Sequence, residues 1–130
     1  MINTIEDTTC VTVARLLVVD DEENIRFALK RWFEWNGFQV DVADDGDVAV
    51  EKCRNATYDL VTLDIEMPRM NGKKALQLIR QFHPDIKVIV LTGYSDELND
   101  PQLNETCRVI IKPVSLTLLE QEVRNLLGIV

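Results

Sequence analysis

The chain has 130 residues, of which 46% are hydrophobic and 28% are charged, as is typical of one soluble globular domain with a full core. Its formal net charge is −8, from 22 acidic and 14 basic residues, so nucleic acid or an anionic membrane surface would repel it. No apolar run approaches the roughly 18 residues of a membrane-spanning helix, and the amino terminus does not read as a signal peptide. The three cysteines show no metal-ligand spacing, so reduced thiols in a cytoplasmic protein are expected.

Segments with strand and helix character alternate along the chain. RLLVVD (15–20) is short, apolar and β-branched, which predicts a buried strand, and EENIRFALKRWFEWNG (22–37) has helical spacing and a closing glycine, Gly37. The later predicted elements are strand 39–43, helix 47–55, strand 60–64, helix 72–82, strand 87–93, an uncertain segment 95–106, strand 108–112 and helix 115–128. This alternation predicts an α/β fold, a doubly wound parallel sheet of five strands with helices on both faces, preceded by a flexible tail over residues 1–13.

Two of these segments raise specific expectations. On a helical wheel, the apolar residues of 22–37 share one side, so Trp32 and Trp35 are expected in the core, whereas Phe27 points to the polar side. Pro101 lies in the middle of 95–106, where few residues are apolar. Because proline inside a helix costs about 3 kcal/mol, the fourth helix is expected to be short, displaced or irregular.

Polar side chains stand where the predicted strands end. In an open parallel sheet, ligands bind beyond the carboxyl ends of the strands, so these side chains should converge at one edge. They are Asp20 and Asp21 after the first strand, Asp64 on the third, Thr92 on the fourth and Lys112 on the fifth.

Three carboxylates at one edge would repel one another and raise each other's pKa unless a cation neutralised them. All-oxygen ligation with open positions suits Mg²⁺. A carboxylate beside Mg²⁺ and a lysine, as Asp64 would be, is suited to attack a phosphoryl group. A simpler interpretation remains open for Asp20 and Asp21, which could cap the first helix.

Four motifs together resemble one family. LLVVDDEE, LVTLDIEMPRMNG, VIVLTGYSD and VIIKPV occur in the order of the CheY-like receiver domain of two-component response regulators, a flavodoxin-like fold, and the resemblance covers residues 14–128. It implies that Asp64 is the phospho-acceptor and that the donor is a histidine kinase or a histidine phosphotransfer protein. It also implies that Mg²⁺ is held by Asp20, Asp21, Asp64 and the backbone carbonyl of Glu66.

The resemblance assigns further roles near the phospho-acceptor. Lys112 would pair with Asp64 and the phosphoryl oxygens, Thr92 would turn its hydroxyl onto the phosphate, and the Lys112–Pro113 bond is expected to be cis. Glu66 and Tyr94 would flank the entrance and modulate hydrolysis. Such a domain catalyses only its own phosphorylation and dephosphorylation and acts through protein contacts, either alone or cut from a longer protein.

Departures and alternatives accompany this interpretation. Val109 stands where the family commonly has an aromatic residue, so the output face should respond through residues 94–106.

A small Mg²⁺-dependent phosphohydrolase of the haloacid dehalogenase type is the main alternative, although its DxD motif is here an adjacent DD. An FMN carrier is disfavoured because DDEENI would repel a phosphate. His83, the only histidine, is expected to be a solvated turn residue.

Overall fold

A computed structural model describes residues 13–67, 72–93, 99–104 and 106–129. The strands are β1 (Arg15–Val19), β2 (Gln39–Ala43), β3 (Leu60–Asp64), β4 (Lys87–Thr92) and β5 (Arg108–Ile111). The helices are α1 (Glu23–Trp35), α2 (Gly46–Asn55), α3 (Gly72–Phe82), α4 (Pro101–Asn104) and α5 (Leu116–Leu127). The predicted α/β fold is confirmed, and the predicted tail lies outside the described residues except for Val13. In the part of the chain so described, no helix has the length and apolar character needed to cross a bilayer.

The strands pair in parallel in the order β2–β1–β3–β4–β5. The chain moves outward from β1 to β2, then returns across β1 to form β3 on its other side. Strand order therefore reverses between β1 and β3, and the crevice at the carboxyl ends of these two strands is where such sheets bind ligands.

Two apolar layers hold the sheet between its helices. Every residue of β3 is buried, and its side chains alternate between the two layers, as strand geometry requires. Leu60 packs in the layer that includes Phe33 of α1 and contributions from α5, and Val61 packs in the layer that includes Ala75 of α3 with α2 and α4. Each large buried side chain contributes roughly 1.5–3 kcal/mol, so β3 is held firmly from both sides.

The expected burial of the two tryptophans is wrong for Trp35. Its side chain is 87% exposed, and Trp32 is half-buried with its indole N–H donating to Glu120 on α5 at 3.0 Å. The buried side of α1 is marked by Leu29 and Phe33. At 100° per residue, Trp35 lies about 140° around the helix from the midpoint of that pair, so the apolar side of the wheel is wider than the part that meets the sheet. Phe27 is exposed, as expected from its place on the wheel.

A glycine follows the end of α1, and a proline begins α4. Gly37 has a φ of 96° and its N–H donates to the carbonyl of Glu34 at 3.2 Å, so the predicted glycine closure of α1 is confirmed. Helix α4 is short, as predicted, but Pro101 is its first residue and not its middle. Proline is accepted at this position because its missing N–H would have no helical partner there. Residues 95–98 and 105 of the uncertain segment lie outside the described part of the chain.

His83 makes a specific contact, so its interpretation as a solvated turn residue is wrong. It follows α3 and is half-buried, and its ring Nε2 lies 2.6 Å from the backbone carbonyl of Cys53. The carbonyl can only accept, so Nε2 carries the proton in this contact. The hydrogen bond joins the ends of α2 and α3. Cys53 and Cys107 are free thiols, whereas Cys10 lies outside the described residues.

Candidate functional site

The parallel register brings the polar strand ends to one edge. Val19, the last residue of β1, pairs with Leu63, so Asp20 follows β1 beside Asp64 at the end of β3. Asp64 pairs in turn with Leu91, one residue before Thr92. The expected convergence of these polar side chains at the crevice is therefore found in the fold.

Three carboxylates form a cluster at this edge. One oxygen from each of Asp20, Asp21 and Asp64 lies within 4.8 Å of the others. Asp20 and Asp64 are only 1% and 2% exposed, whereas Asp21 is open to solvent. Each buried carboxylate accepts a backbone N–H two residues ahead through its Oδ1, from Glu22 at 2.9 Å and from Glu66 at 3.0 Å. These bonds fix the orientation of both carboxylates.

The capping interpretation of Asp20 and Asp21 is wrong. The residue that precedes α1 is Glu22, and its side chain makes no capping hydrogen bond. Asp20 accepts the N–H of Glu22 itself, not an N–H of the first helical turn, and the guanidinium of Arg26 holds the Asp20 carbonyl at 2.8 Å. These contacts hold Asp20, whose carboxylate lies in the cluster with Asp21 and Asp64.

The electrostatics of the cluster favour a cation. Burial, and then the charges of Asp64 and Asp21, raise the pKa of Asp20 to about 6, although the Glu22 N–H and Lys112 act in the opposite direction. Burial also raises the pKa of Asp64 despite its hydrogen bonds. The raised pKa expected from the sequence is present, but desolvation is its main cause and mutual repulsion is the smaller one.

The donor set fits a hard divalent cation. Asp20 Oδ2 is buried and has no hydrogen-bond partner among the described residues, so one oxygen of this carboxyl group is left unsatisfied within the cluster. With Asp21 and Asp64 it makes an all-oxygen set, which is the chemistry that Mg²⁺ prefers.

Lys112 forms an ion pair with Asp64. Its Nζ lies 3.1 Å from Asp64 Oδ2, and its backbone N–H donates to the Thr92 carbonyl at 2.7 Å, which fixes the lysine to β4. Burial lowers the pKa of Lys112, but the hydrogen bond and charge of Asp64 outweigh it, so the pKa is raised and the ammonium stays charged. The Lys112–Pro113 bond is cis, as expected.

The side chain of Glu66 reaches Thr92, a contact that the sequence does not predict. Thr92 is fully buried, and its hydroxyl donates to Glu66 Oε2 at 3.0 Å. The Gly93 N–H donates to the same oxygen at 3.3 Å. The resemblance assigns Glu66 a metal-facing carbonyl and a place at the entrance, and no local pattern in the sequence indicates where its carboxylate points. Tyr94 lies outside the described residues.

Gly72 allows α3 to begin against the end of β3. Its N–H donates to the carbonyl of Ile65 at 3.1 Å. A Cβ on this residue would lie 2.6 Å from Ile65 Cα and 2.9 Å from the Asp64 carbonyl, both backbone atoms that cannot move aside without shifting the acidic site. The absence of a side chain at Gly72 therefore helps to position Asp64.

Comparison with known proteins identifies the family. The profile of the response regulator receiver domain matches residues 16–124. The chain belongs to this family. As a receiver domain of two-component response regulators, it is related to response regulator RR06 of Streptococcus pneumoniae, with 37% identity over 86% of this chain and 52% of the relative. The transcriptional regulatory protein ResD of Bacillus subtilis is 38% identical over 78% of this chain and 42% of its own length.

Solved structures show the same fold. A CheY-like receiver domain protein from Methanospirillum hungatei superposes with a TM-score of 0.84 and 30% identity, covering 90% of this chain and 95% of that one. The response regulator TrrA of Thermotoga maritima, solved in complex with Mg²⁺ and BeF, superposes with a TM-score of 0.80 and 38% identity over 88% of this chain and 99% of that one. The chain spans about half, or less, of the two curated relatives named above. Membership of a receiver family, and not of a classical enzyme family, sets aside the phosphohydrolase and FMN-carrier interpretations.

Proposed function

We propose that Asp64 of this receiver domain accepts a phosphoryl group from a phosphohistidine in a Mg²⁺-dependent reaction. The observation that carries the proposal is the placement of Asp64, buried at the end of β3 between two further carboxylates and the Lys112 ammonium 3.1 Å away. A receiver domain exchanges phosphate with histidine kinases or phosphotransfer proteins, and we infer such a donor here.

The reaction is a single displacement at phosphorus. One carboxylate oxygen of Asp64 attacks the phosphorus atom, the P–N bond breaks, and its electron pair returns to the imidazole nitrogen of the donor. An acyl phosphate remains on Asp64. The Lys112 ammonium, 3.1 Å from Asp64 Oδ2, would stabilise the charge on the phosphoryl oxygens, and the Thr92 hydroxyl at the end of the neighbouring strand would donate to them.

Mg²⁺ would be held by Asp20, Asp21, Asp64 and the backbone carbonyl of Glu66. The buried and unsatisfied Asp20 Oδ2 supports this assignment. When bound, the ion supplies neutralisation of the phosphoryl oxygens. The chain itself orients the carboxylates, through the N–H groups of Glu22 and Glu66, and keeps Asp64 away from bulk water.

Intact-protein mass spectrometry after incubation with acetyl phosphate and Mg²⁺ tests the acceptor. We expect one phosphoryl group on the wild type and none on Asp64→Asn. Asp59→Asn is a matched control because Asp59 precedes the same strand at its opposite end. Incorporation in Asp64→Asn, or equal incorporation in EDTA, would refute the assignment. Continuous release of phosphate without a stored intermediate would instead indicate a phosphohydrolase.

We infer that the donor docks over the start of α1. An apolar recess of about 240 Å³ lies beside the site and is lined in part by Ile25, Lys112 and Pro113. Ile25 and Phe27 are 39% and 60% exposed. Ile25→Ala and Phe27→Ala should slow transfer from a phosphohistidine protein but leave phosphorylation by acetyl phosphate unchanged. Equal slowing on both routes would make these residues part of the packing only.

We further propose that this receiver signals or relays phosphate through protein contacts, with no catalysis beyond its own phosphorylation and dephosphorylation. A cytoplasmic location is proposed with it, because free thiols such as Cys53 and Cys107 are the usual state of cysteine there.

A further inference from the structure

The Glu66 carboxylate occupies donors at the end of β4. Its Oε2 accepts both the Thr92 hydroxyl at 3.0 Å and the Gly93 N–H at 3.3 Å. A Cβ built on Gly93 would lie 3.8 and 3.9 Å from the two carboxylate oxygens, so the whole carboxylate rests over this glycine. Glu66 is also the residue whose N–H orients Asp64, at 3.0 Å. One residue thus contacts both the acceptor carboxylate and the strand that faces it.

A phosphoryl group on Asp64 would need the same hydroxyl. The Thr92 hydroxyl carries a single hydrogen and therefore serves one strong acceptor at a time. Thr92 is fully buried with Glu66 in place, so bulk water does not compete for its hydroxyl in this arrangement. The Glu66 carboxylate and the phosphoryl group both carry negative charge, so their simultaneous presence at this donor is also opposed electrostatically.

We propose that Glu66 is an internal competitor of the phosphoryl group: its carboxylate holds the Thr92 hydroxyl until phosphorylation of Asp64 displaces it. The inference rests on the proposed phosphorylation of Asp64 and adds a positioning role for the Glu66 side chain, separate from that of its backbone carbonyl. Loss of the carboxylate should remove this competing acceptor of the Thr92 hydroxyl and make the phosphorylated arrangement easier to reach.

Beryllofluoride binding in excess Mg²⁺, followed by ¹⁹F NMR, measures this competition. Hydrogen bonds to charged groups are the stronger ones, and their removal changes an equilibrium by about tenfold, so Glu66→Ala should bind beryllofluoride about tenfold more tightly than the wild type. Glu66→Gln, which keeps a neutral acceptor, should fall between the two. Glu51→Ala removes an exposed carboxylate from α2 and should leave the affinity unchanged.

A double-variant cycle separates hydrogen-bond competition from simple charge repulsion. Thr92→Val keeps the shape of the buried side chain and removes the donor. On that background Glu66→Ala should give a clearly smaller gain, whereas charge repulsion alone would give the same gain with either residue at position 92. The competitor would be overturned if Glu66→Ala raised the beryllofluoride affinity equally with threonine and with valine at position 92. It would also be overturned if the wild type bound beryllofluoride and Glu66→Ala bound it no more tightly. Either result would leave the proposed phosphorylation intact. Failure of the wild type and Glu66→Ala alike to bind would overturn both.

Discussion

Replacement of Asp20 by asparagine should stabilise the metal-free protein at neutral pH. Asp20 is 1% exposed, and its Oδ2 has no hydrogen-bond partner among the described residues. Burial is the largest reason why the pKa of this carboxyl rises from 3.8 to about 6. A difference of about 2 pKa units, at 1.36 kcal/mol each, corresponds to roughly 3 kcal/mol by which the fold disfavours the charged carboxylate.

The expected gain in the free energy of unfolding is smaller than this value of roughly 3 kcal/mol. Asparagine can still accept the Glu22 N–H through Oδ1, but its amide N–H₂ must find acceptors, for which the neighbouring carboxylate of Asp64 is suitably close. We therefore expect Asp20→Asn to raise the free energy of unfolding by about 2 kcal/mol, and the Tm by about 8 °C, in the absence of divalent cations.

The pH dependence follows from the raised pKa of Asp20. Below 3.8 the carboxyl is protonated in both the folded and the unfolded chain, so the wild type and Asp20→Asn should differ little. As the pH rises, the unfolded chain releases its proton first, and the folded wild type loses stability until the pH has passed about 6. The difference in the free energy of unfolding between Asp20→Asn and the wild type should therefore grow between pH 3.8 and about 6 and stay constant above it.

Urea unfolding followed by circular dichroism in EDTA, at several pH values between about 4.5 and 8, measures the difference. Asp21→Asn is the matched control, because it removes the same charge from an exposed position in the same cluster and should give a smaller gain. Added Mg²⁺ should stabilise the wild type but have little effect on Asp20→Asn. A variant that is no more stable than the wild type at about pH 7.5, or an advantage that is independent of pH, would refute the reasoning.

Lys112→Ala should lower the free energy of unfolding by about 1–2 kcal/mol near pH 7.5, because the buried Asp64 carboxylate loses its ammonium partner; urea unfolding would measure this, and unchanged stability would count against the pair. Gly72→Ala should cost at least about 2 kcal/mol, since its Cβ would lie 2.6 Å from a backbone atom, whereas the contacts at Gly93 are ordinary and Gly93→Ala should cost much less. Equal losses in the two glycine variants would contradict this. Hydrogen exchange with and without beryllofluoride should change over 94–106, and unchanged exchange there would favour a phosphate relay without a switch.

The pattern of the sequence predicts the fold and the polar residues that converge at the acidic edge. The alternation of short β-branched runs with helical spacing predicts the parallel sheet, and parallel strands carry their carboxyl ends to one edge. The sequence therefore groups five residues that each lie at, or just after, the end of a predicted strand: Asp20, Asp21, Asp64, Thr92 and Lys112. The short fourth helix was also predictable from composition, although the place of Pro101 within it was not.

The direction of individual side chains, and their contacts with distant parts of the chain, depend on how the elements pack. The helical wheel placed Trp35 with the core, but only the position of α1 on the sheet shows that Leu29 and Phe33 face inward while Trp35 stays in solvent. His83 bonds to a carbonyl 30 residues away. Glu66 reaches a hydroxyl 26 residues ahead. Periodicity predicts the elements because the geometry of a single segment determines which of its residues share a face, whereas these contacts join segments that are brought together only by packing.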